Sequence, residues 1–410
     1  MTTTCYYMNT ISKSPLFNKR TLTIIGIAVS ILIPISLLVF FSTGFTSNTN
    51  RSNTTTASAN LSGFDTITVA VVGDLMCHST QFNAVKKGDS YDFMSVFEGV
   101  KPYIQTADLG FANLETVTAG ESEKFTGYPQ FNTPAAYLDG LKAAGFDVIT
   151  TANNHSLDRR YIGVTRTLDS LEARQFQYSG TFKDAADTNR VVIAERKGIR
   201  IAVLAYTFST NGIPLPAGKE FCVNMMDSGR MKRDVERVKA KGVDKIAVFI
   251  HWGNEYERQP AKKQKDYAHY LANLGVDYIF GSHPHVIQPT EIIQTPQKPV
   301  FVIYSLGNFV SGQRKPFTDY GVILRVQLIK NRSTGETKTG KIDFVPTYVS
   351  AEQGYRVIPI PDALANESLD TNNTSYLPKD IQRMKEILPE ITQHLTDEKV
   401  GIRLYQPSNP

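Results

Sequence analysis

Six predicted strands in the 410-residue chain are closely followed by side chains that could bind a metal or move a proton. These side chains are acids, amides and imidazoles, the groups that ligate Mn, Fe or Zn in proteins. Ligand-binding residues gather at the carboxyl ends of strands in α/β sheets. The candidates in chain order are Asp74, Asn113, Glu115, Asn153, Asn154, His155, His251, His283, His285 and Asn308.

Each candidate also has a structural explanation when it is taken alone. Asp74 could cap a turn, Glu115 could pair with an arginine, and Asn153-Asn154 is a common turn sequence. His251 could be a structural histidine at a strand end. His283-Pro284-His285 is harder to explain in this way, because the rigid proline holds two imidazoles close together. The other three histidines lack such a context and are interpreted as surface or structural residues: His78, His269 and His394.

The elements that must position these residues alternate between short apolar runs and helical patterns, which favours an α/β domain. The predicted strands cover residues 66–72, 108–112, 147–151, 199–206, 245–251, 277–280 and 299–304. Helical patterns cover residues 134–144, 161–173, 228–241 and 260–274. Two later runs, 321–329 and 341–349, predict a strand pair, and 379–395 predicts a closing helix.

A membrane anchor is predicted before the first strand. Residues 24–41 are almost continuously apolar, and as a helix they would span about 27 Å, close to the thickness of a bilayer core. Three basic residues precede this run, so the positive-inside rule predicts a cytoplasmic N-terminus and an extracytoplasmic domain. A cleaved signal peptide and a buried core helix are the alternatives. The predicted segments are 1–20 cytoplasmic, 21–45 transmembrane, 46–62 a Ser/Thr/Asn-rich tether, 63–350 the folded domain and 351–410 a C-terminal extension.

Composition and charge exclude several classes of protein. The chain is 41% hydrophobic and 20% charged, which is inconsistent with a mainly disordered chain, a coiled coil or a collagen. The formal net charge is +5, but without Lys13, Lys19 and Arg20 it is 41 basic against 39 acidic residues, or +2. A nearly neutral body predicts no nucleic-acid partner. Three cysteines without a CxxC pair predict no disulfide framework.

Six short motifs occur in a specific order: GDLM, NLE, TTANNHSLD, HWGNEY, GSHPHVIQP and YSLGNFV. This series resembles the calcineurin-like metallophosphoesterase superfamily, and within it more closely the CapA/PgsA family of poly-γ-glutamate capsule synthesis. The resemblance covers about residues 66–350. It implies a metallophosphoesterase-like, four-layer αββα sandwich with a site for one or two divalent metal ions. It also implies membrane partners from a poly-γ-glutamate synthase, and contact with the anionic polymer itself.

The resemblance also assigns roles to individual residues. One metal would be held by Asp74, Glu115 and His285. Glu115 would bridge to a second metal, whose other ligands would be Asn154, His251 and His283. His155 would be catalytic and would protonate the leaving group, as in related phosphoesterases.

Two positions depart from the phosphoesterase pattern. Met76 stands where a ligand histidine would be, and a thioether is a poor ligand for a hard divalent ion. The acidic motif offers Glu115 in Asn-Leu-Glu in place of the usual Gly-Asp. Both changes predict a weakened first metal site.

Three functions are therefore compatible with the sequence. The first is a membrane-anchored, extracytoplasmic component of poly-γ-glutamate synthesis or export. The second is a surface metal-dependent hydrolase acting on a phosphoester or on a polymer or wall linkage, and the third is a non-catalytic polymer-binding module. Basic pairs beside the motifs would either contact the polymer or be solvated surface charges: Arg159-Arg160 and Lys262-Lys263.

Overall fold

The computed structural model describes residues 63–369, 376–396 and 400–406. The predicted anchor at 21–45 and the predicted tether at 46–62 lie outside these residues. Among the described helices, none has the length and apolar character needed to cross a membrane. The described residues all belong to one compact unit, which includes the described residues after position 350.

The described residues contain 17 strands and nine α-helices. The strands are β1 (Phe64–Leu75), β2 (Lys86–Lys87), β3 (Ser90–Tyr91), β4 (Leu109–Leu114), β5 (Val148–Thr150), β6 (Gln177–Ser179), β7 (Val192–Arg196), β8 (Ile199–Thr207), β9 (Lys245–His251), β10 (Tyr278–Ser282), β11 (Ile287–Gln294), β12 (Pro299–Leu306), β13 (Asn308–Val310), β14 (Tyr320–Asn331), β15 (Thr337–Ser350), β16 (Arg356–Pro359) and β17 (Ile402–Leu404). The helices are α1 (Ser79–Ala84), α2 (Met94–Phe97), α3 (Lys101–Gln105), α4 (Ala136–Ala144), α5 (Arg160–Ala173), α6 (Ser228–Lys239), α7 (Lys262–Asn273), α8 (Ile360–Leu369) and α9 (Pro378–Leu395).

Most strands belong to two large sheets. The first has the order β16-β15-β14-β1-β4-β5-β6, with β13 paired to β1 and β17 paired to β15. The second has the order β11-β12-β10-β9-β8-β7. Neighbours from β1 through β6 in the first sheet are parallel, as are the neighbours among β8, β9, β10 and β12 in the second. The carboxyl ends of these strands therefore share one edge of each sheet.

The two sheets bury one core between them because side chains alternate along each strand. In β1, Val69 and Val71 point into this central core while Ala70 points to the outer face. In β9, Phe249 points into the central core and Val248 points to the outer face. Both faces of each sheet are therefore apolar, which requires a cover on each outer face.

Helices supply these covers. Apolar residues of α1 to α5 pack on the outer face of the first sheet, and those of α6 and α7 pack on the outer face of the second. In α9, Ile381, Met384 and Ile387 close the central core, where the helix contacts β11, β15 and β17. The predicted mixed α/β class is confirmed, and the layers of the described residues run helix, sheet, sheet, helix.

Candidate metal centre

All seven predicted site residues lie together at the carboxyl ends of the parallel strands. Asp74 is the penultimate residue of β1 and His251 is the last residue of β9, while Glu115 directly follows β4 and His283 directly follows β10. None of the seven residues is more than 5% exposed to solvent. Side chains from both sheets therefore meet in one buried polar cluster.

Close packing of the backbone brings these strand ends together. A Cβ atom on Gly73 would lie 2.1 Å from the carbonyl oxygen of Gly307, and one on Gly281 would lie 1.9 Å from that of Tyr304. Any side chain at either position would force neighbouring strands apart. His283 and His285 also have left-handed backbone angles, with φ of 96° and 60°. Such angles are uncommon and costly for residues other than glycine, and strained residues of this kind are often found at functional sites.

Glu115 lies at the centre of the cluster. Its Oε1 atom is 3.4 Å from Nε2 of His251 and 3.9 Å from Nε2 of His285. Among the described residues, two groups have ligand atoms that all lie within 4.8 Å of one another: Glu115 with His283 and His285, and Asp74 with Glu115 and His251. Glu115 belongs to both groups, which suits a bridging carboxylate. The division of the other ligands between two metals stays a prediction.

Asp74 is held by three contacts. Its Oδ2 atom lies 3.1 Å from Nδ1 of His285 and accepts a hydrogen bond from the backbone N–H of His283 at 3.3 Å. Its Oδ1 atom accepts a 2.9 Å hydrogen bond from Nδ2 of Asn113. Asn113 thus fixes the orientation of this carboxylate without joining either ligand group.

Asn154 faces the second sheet. Its Oδ1 atom lies 2.9 Å from Nε2 of His251, while its Nδ2 atom donates to Oδ1 of Asn211 at 3.1 Å. Nδ1 of His251 in turn lies 3.0 Å from the hydroxyl of Ser282. These contacts orient the amide oxygen of Asn154 toward the cluster.

His155 pairs with a carboxylate that the sequence analysis did not identify. Its Nδ1 atom is 2.7 Å from Oδ2 of Asp158, and both side chains are buried. Because a carboxylate only accepts hydrogen bonds, Nδ1 carries the proton and Nε2 is left with a lone pair. Nδ2 of Asn211 lies 3.4 Å from that Nε2 atom. Asp158 therefore fixes the orientation of His155, and Nε2 is the ring nitrogen that is available to exchange a proton.

Burial dominates the electrostatics of the cluster. It raises the pKa of Glu115 well above its usual value, and the nearby charge of Asp74 adds to this rise. It also lowers the pKa values of His251 and His283 well below their usual range, with neighbouring histidines contributing. Burial likewise raises the pKa of Asp158, although the hydrogen bond to His155 opposes the change.

Several buried polar atoms in the cluster have no hydrogen-bond partner among the described residues. They include both carboxylate oxygens of Glu115 and Nδ1 of His283. Buried polar atoms are usually satisfied, because each unpaired one costs roughly 1–3 kcal/mol. A divalent cation would accept these lone pairs and neutralise the carboxylates. The donor set therefore fits a divalent metal.

Met76, which stands where the phosphoesterase pattern has a ligand histidine, is not part of this donor set. Met76 is buried, and its sulfur accepts a 3.6 Å contact from the hydroxyl of Ser311. His78 does not replace it: its Nδ1 atom accepts from the backbone N–H of Gly312, and burial lowers the pKa of this histidine to about 4. His269 contacts Glu291 at 3.8 Å, and Nε2 of His394 lies 3.1 Å from the carbonyl of Ile287. These contacts agree with structural or surface roles for all three histidines.

Sequence reasoning missed Asp158, Asn211 and Phe208. Asp158 stands three residues after His155 in the same motif, so its spacing in a turn was an available signal. Asn211 and Phe208 lie in the loop after β8, more than 50 residues from the Asn-His motif, and no local pattern marks them. The Phe208 ring centroid lies 4.8 Å from that of His283.

The fold and cluster define an α/β two-sheet protein with a candidate divalent metal centre. Residues 68–313 match the family described as bacterial capsule synthesis protein PGA_cap. The chain belongs to this family, which confirms the resemblance found in its motifs.

Individual relatives carry related names. The capsule biosynthesis protein CapA of Bacillus anthracis is 28% identical over 288 residues, which cover 68% of this chain and 67% of that protein. The PGA biosynthesis protein CapA of Bacillus subtilis is 27% identical over 294 residues, with coverages of 68% and 72%. Among solved structures, the calcineurin-like phosphoesterase YfkN of Bacillus subtilis aligns with a TM-score of 0.44 at 14% identity, covering 82% of this chain and 99% of that one.

Proposed function

We propose that this chain is a membrane-anchored, extracytoplasmic component of poly-γ-glutamate capsule synthesis or export, and that its domain works through a divalent metal centre. One observation carries the proposal. In a chain of the capsule synthesis family, acids, an amide and histidines from both sheets meet in a buried cluster whose central carboxylate has no hydrogen-bond partner among the described residues.

The proposed ligands are those named by the resemblance: Asp74, Glu115, Asn154, His251, His283 and His285. Glu115 would contribute to both metal positions, because its carboxylate belongs to both groups of close ligand atoms. A bound divalent pair would supply Lewis acidity and an activated water. Mn, Fe or Zn would suit this mixture of carboxylate, amide and imidazole ligands.

A hydrolytic role is the second candidate, and the His155–Asp158 pair favours it. Oδ2 of Asp158 lies 2.7 Å from Nδ1 of His155, so Nε2 is the nitrogen that would take up a proton and then deliver it to a leaving group. Substituting Asp158 with Asn would leave the ligands in place but remove this control of the tautomer. If the chain hydrolyses a phosphodiester such as bis(p-nitrophenyl) phosphate, the variant should lose about 100-fold in rate or more.

The proposed location and partners follow from the sequence. The apolar run at 24–41 after three basic residues supports an anchor with the domain outside. Membrane components of a poly-γ-glutamate synthase are the proposed partners, in line with the capsule biosynthesis names of the two CapA relatives. Protease added to intact cells should digest the domain if this orientation is right.

Gene replacement in the organism that encodes the chain tests the proposal. The gene is deleted and then restored as wild type, Glu115→Gln, His283→Ala or, as a control, His269→Ala. The wild type and the His269→Ala variant should restore secreted poly-γ-glutamate, measured after acid hydrolysis, whereas the two cluster variants should not. Unchanged polymer after deletion of the gene would reject the proposed role.

A further inference from the structure

Two cavities flank the candidate metal centre, one on each side. We propose that together they form a groove that binds the interior of a linear polymer bearing regularly spaced carboxylates, so that the polymer lies across the centre. The identity of the polymer rests on the proposed function. The groove itself rests on the following contacts and charges.

The first cavity lies beside His155. It has a volume of about 550 Å³ and is bordered by the loop 123–130 and the start of α5. Asp158 forms part of its wall, which links this cavity to the His155–Asp158 pair. Tyr128, 73% exposed, and Ile162 also line it.

The second cavity lies beside His283. It has a volume of about 220 Å³, and its lining includes Phe208, Trp252, Gly253 and Lys263. Phe208 is 38% exposed, yet its ring lies against the ring of His283. Phe208 therefore links this cavity to His283 of the candidate centre.

A continuous series of side-chain contacts joins the two cavities through the centre. It runs through Asp158, His155, Asn211, Asn154, His251, His283 and Phe208. Two members of this series are exposed to solvent, Asn211 in its middle and Phe208 at its end. A ligand that fills both cavities would therefore pass over Asn211 and the cluster beneath it.

The exposed apolar surface is concentrated at these cavities. Five large apolar side chains are exposed among the described residues: Phe64, Met94, Tyr128, Ile162 and Phe208. Three of the five line the two cavities. Exposed apolar groups gathered at a concave site indicate a binding surface. Aromatic rings at each side would pack against the methylene groups of a glutamate chain.

The charges of the cavities suit a polyanion. Lys124, Arg160 and Lys263 line them and are exposed, and none of them forms an ion pair among the described residues. The acids of the first cavity are already paired, Glu123 with Arg166 and Asp158 with His155. Basic side chains that form no ion pair among the described residues therefore lie on both sides of the centre.

The four basic residues noted in the sequence differ in whether their charged groups already have partners. Arg159 donates hydrogen bonds to the carbonyls of Glu123, Lys124 and Gln130, so it shapes the loop of the first cavity. Lys262 is paired with Asp266 at 2.7 Å. Arg160 and Lys263 are left available for a ligand.

Binding of poly-γ-glutamate to the purified full-length chain, measured by calorimetry at low and high salt, tests this proposal. Lys263→Glu and Arg160→Glu should each weaken binding by about fivefold or more, and the double variant should weaken it further. Lys262→Glu and Lys241→Glu change the net charge equally but lie outside the cavities, so both should stay within about twofold of wild type. Binding should weaken with added salt.

The length of the polymer provides the second measurement. For the wild type, affinity per polymer molecule should rise with polymer length until both cavities are filled. Lys263→Glu should abolish this gain. Equal effects of Lys262→Glu and Lys263→Glu would overturn the groove while leaving the proposed capsule role intact. Absence of any polymer binding by the folded wild type would overturn it as well. Metal content and capsule production test the proposed function separately.

Discussion

Buried and half-buried polar groups lack hydrogen-bond partners at one end of the parallel strands and have them at the other. At the carboxyl ends, both oxygens of Glu115 and Nδ1 of His283 lack hydrogen-bond partners among the described residues. At the amino ends, four aspartates stand directly before parallel strands, and each accepts a hydrogen bond from a backbone N–H of the neighbouring strand. The pairs are Asp108 with Thr68, Asp147 with Gly110, Asp244 with Arg200 and Asp277 with Ile246.

These four aspartates also form ion pairs. Asp244 lies 2.9 Å from Nζ of Lys330, and Asp277 lies 3.2 Å from Lys245 and 2.7 Å from Lys298. Asp108 and Asp147 pair in the same way with Lys197 and Arg196. The amino ends thus use charge to hold strands in register, whereas the carboxyl ends leave polar atoms free for a ligand. Similar residue types serve stability at one end and, in our account, metal binding at the other.

Glu115→Gln should produce the largest change at the carboxyl ends. Metal affinity should fall by about 1,000-fold or more, beyond the 10- to 100-fold typical of residues outside the coordination sphere. With chelator present, however, the variant should unfold at the same or a higher temperature, because a neutral amide replaces a buried carboxylate without partners. Metal titration and thermal unfolding measure the two effects. Glu236→Gln, on the surface of α6, should change neither; a large loss of stability in the chelated Glu115→Gln variant would contradict the comparison.

Asp277→Ala should produce the reverse result at the amino ends. Removing this carboxylate leaves the backbone N–H of Ile246 and the Lys245 ammonium without their partner. The free energy of unfolding should fall by about 3 kcal/mol, and metal content should not change. Urea denaturation checks this, with Asp266→Ala in the exposed pair with Lys262 as a control that should cost less than about 1 kcal/mol.

Asn211→Ala tests whether a residue outside the proposed ligand set contributes to metal binding at the carboxyl ends. Asn211 accepts a hydrogen bond from Nδ2 of Asn154 and so keeps the amide oxygen of Asn154 turned toward the cluster. Its loss should weaken metal binding by roughly 10-fold. Asn254→Ala, another amide in a loop near the centre, is the matched control. Equal metal affinities for both variants and wild type would remove Asn211 from the positioning contacts.

The smallest expected effect is the acid sensitivity that Asp244 contributes at the amino ends. Burial raises its pKa, but hydrogen bonds from Lys330, the backbone of Arg200 and Thr337 outweigh burial and hold the pKa below its usual value. Its contribution to stability is therefore complete above the unfolded-state pKa of about 3.9 and is lost as the pH falls through the lower pKa of the folded state. Urea denaturation between pH 5 and pH 3 should show a shallower loss of stability for Asp244→Asn than for wild type. Equal slopes would show that this carboxylate is not stabilised by folding.

Much of the central fold was predictable because its strands are short, apolar and β-branched. The strand predicted at 245–251 matches β9, and the helix predicted at 379–395 is α9 with one additional residue. The strands that were missed include the sheet edges β7, β11 and β16. An edge strand has one neighbour and more polar residues, as in the sequence IQPTEIIQ of β11, so its pattern is weak. The helices α1 to α3 are too short to show a helical period.

The candidate site, like the fold, was predictable from the sequence only in part. Residues at the ends of predicted strands were identifiable, because parallel strands bring their carboxyl ends together. The loop from Phe208 to Ile213 was not, since its approach to His155 and His283 depends on how the two sheets pack against each other. Predicting that packing requires the three-dimensional arrangement of β8 and β5. No local sequence pattern contains this information.

The central claim is that the carboxyl-end cluster holds divalent metal. Elemental analysis of the purified full-length chain, compared with His283→Ala and with the exposed-histidine control His269→Ala, tests it most directly. The account predicts one to two tightly held Mn, Fe or Zn ions per chain in the wild type and the control, and a marked loss in His283→Ala. A folded wild-type chain that retains no metal after reconstitution with each of the three ions would contradict the account.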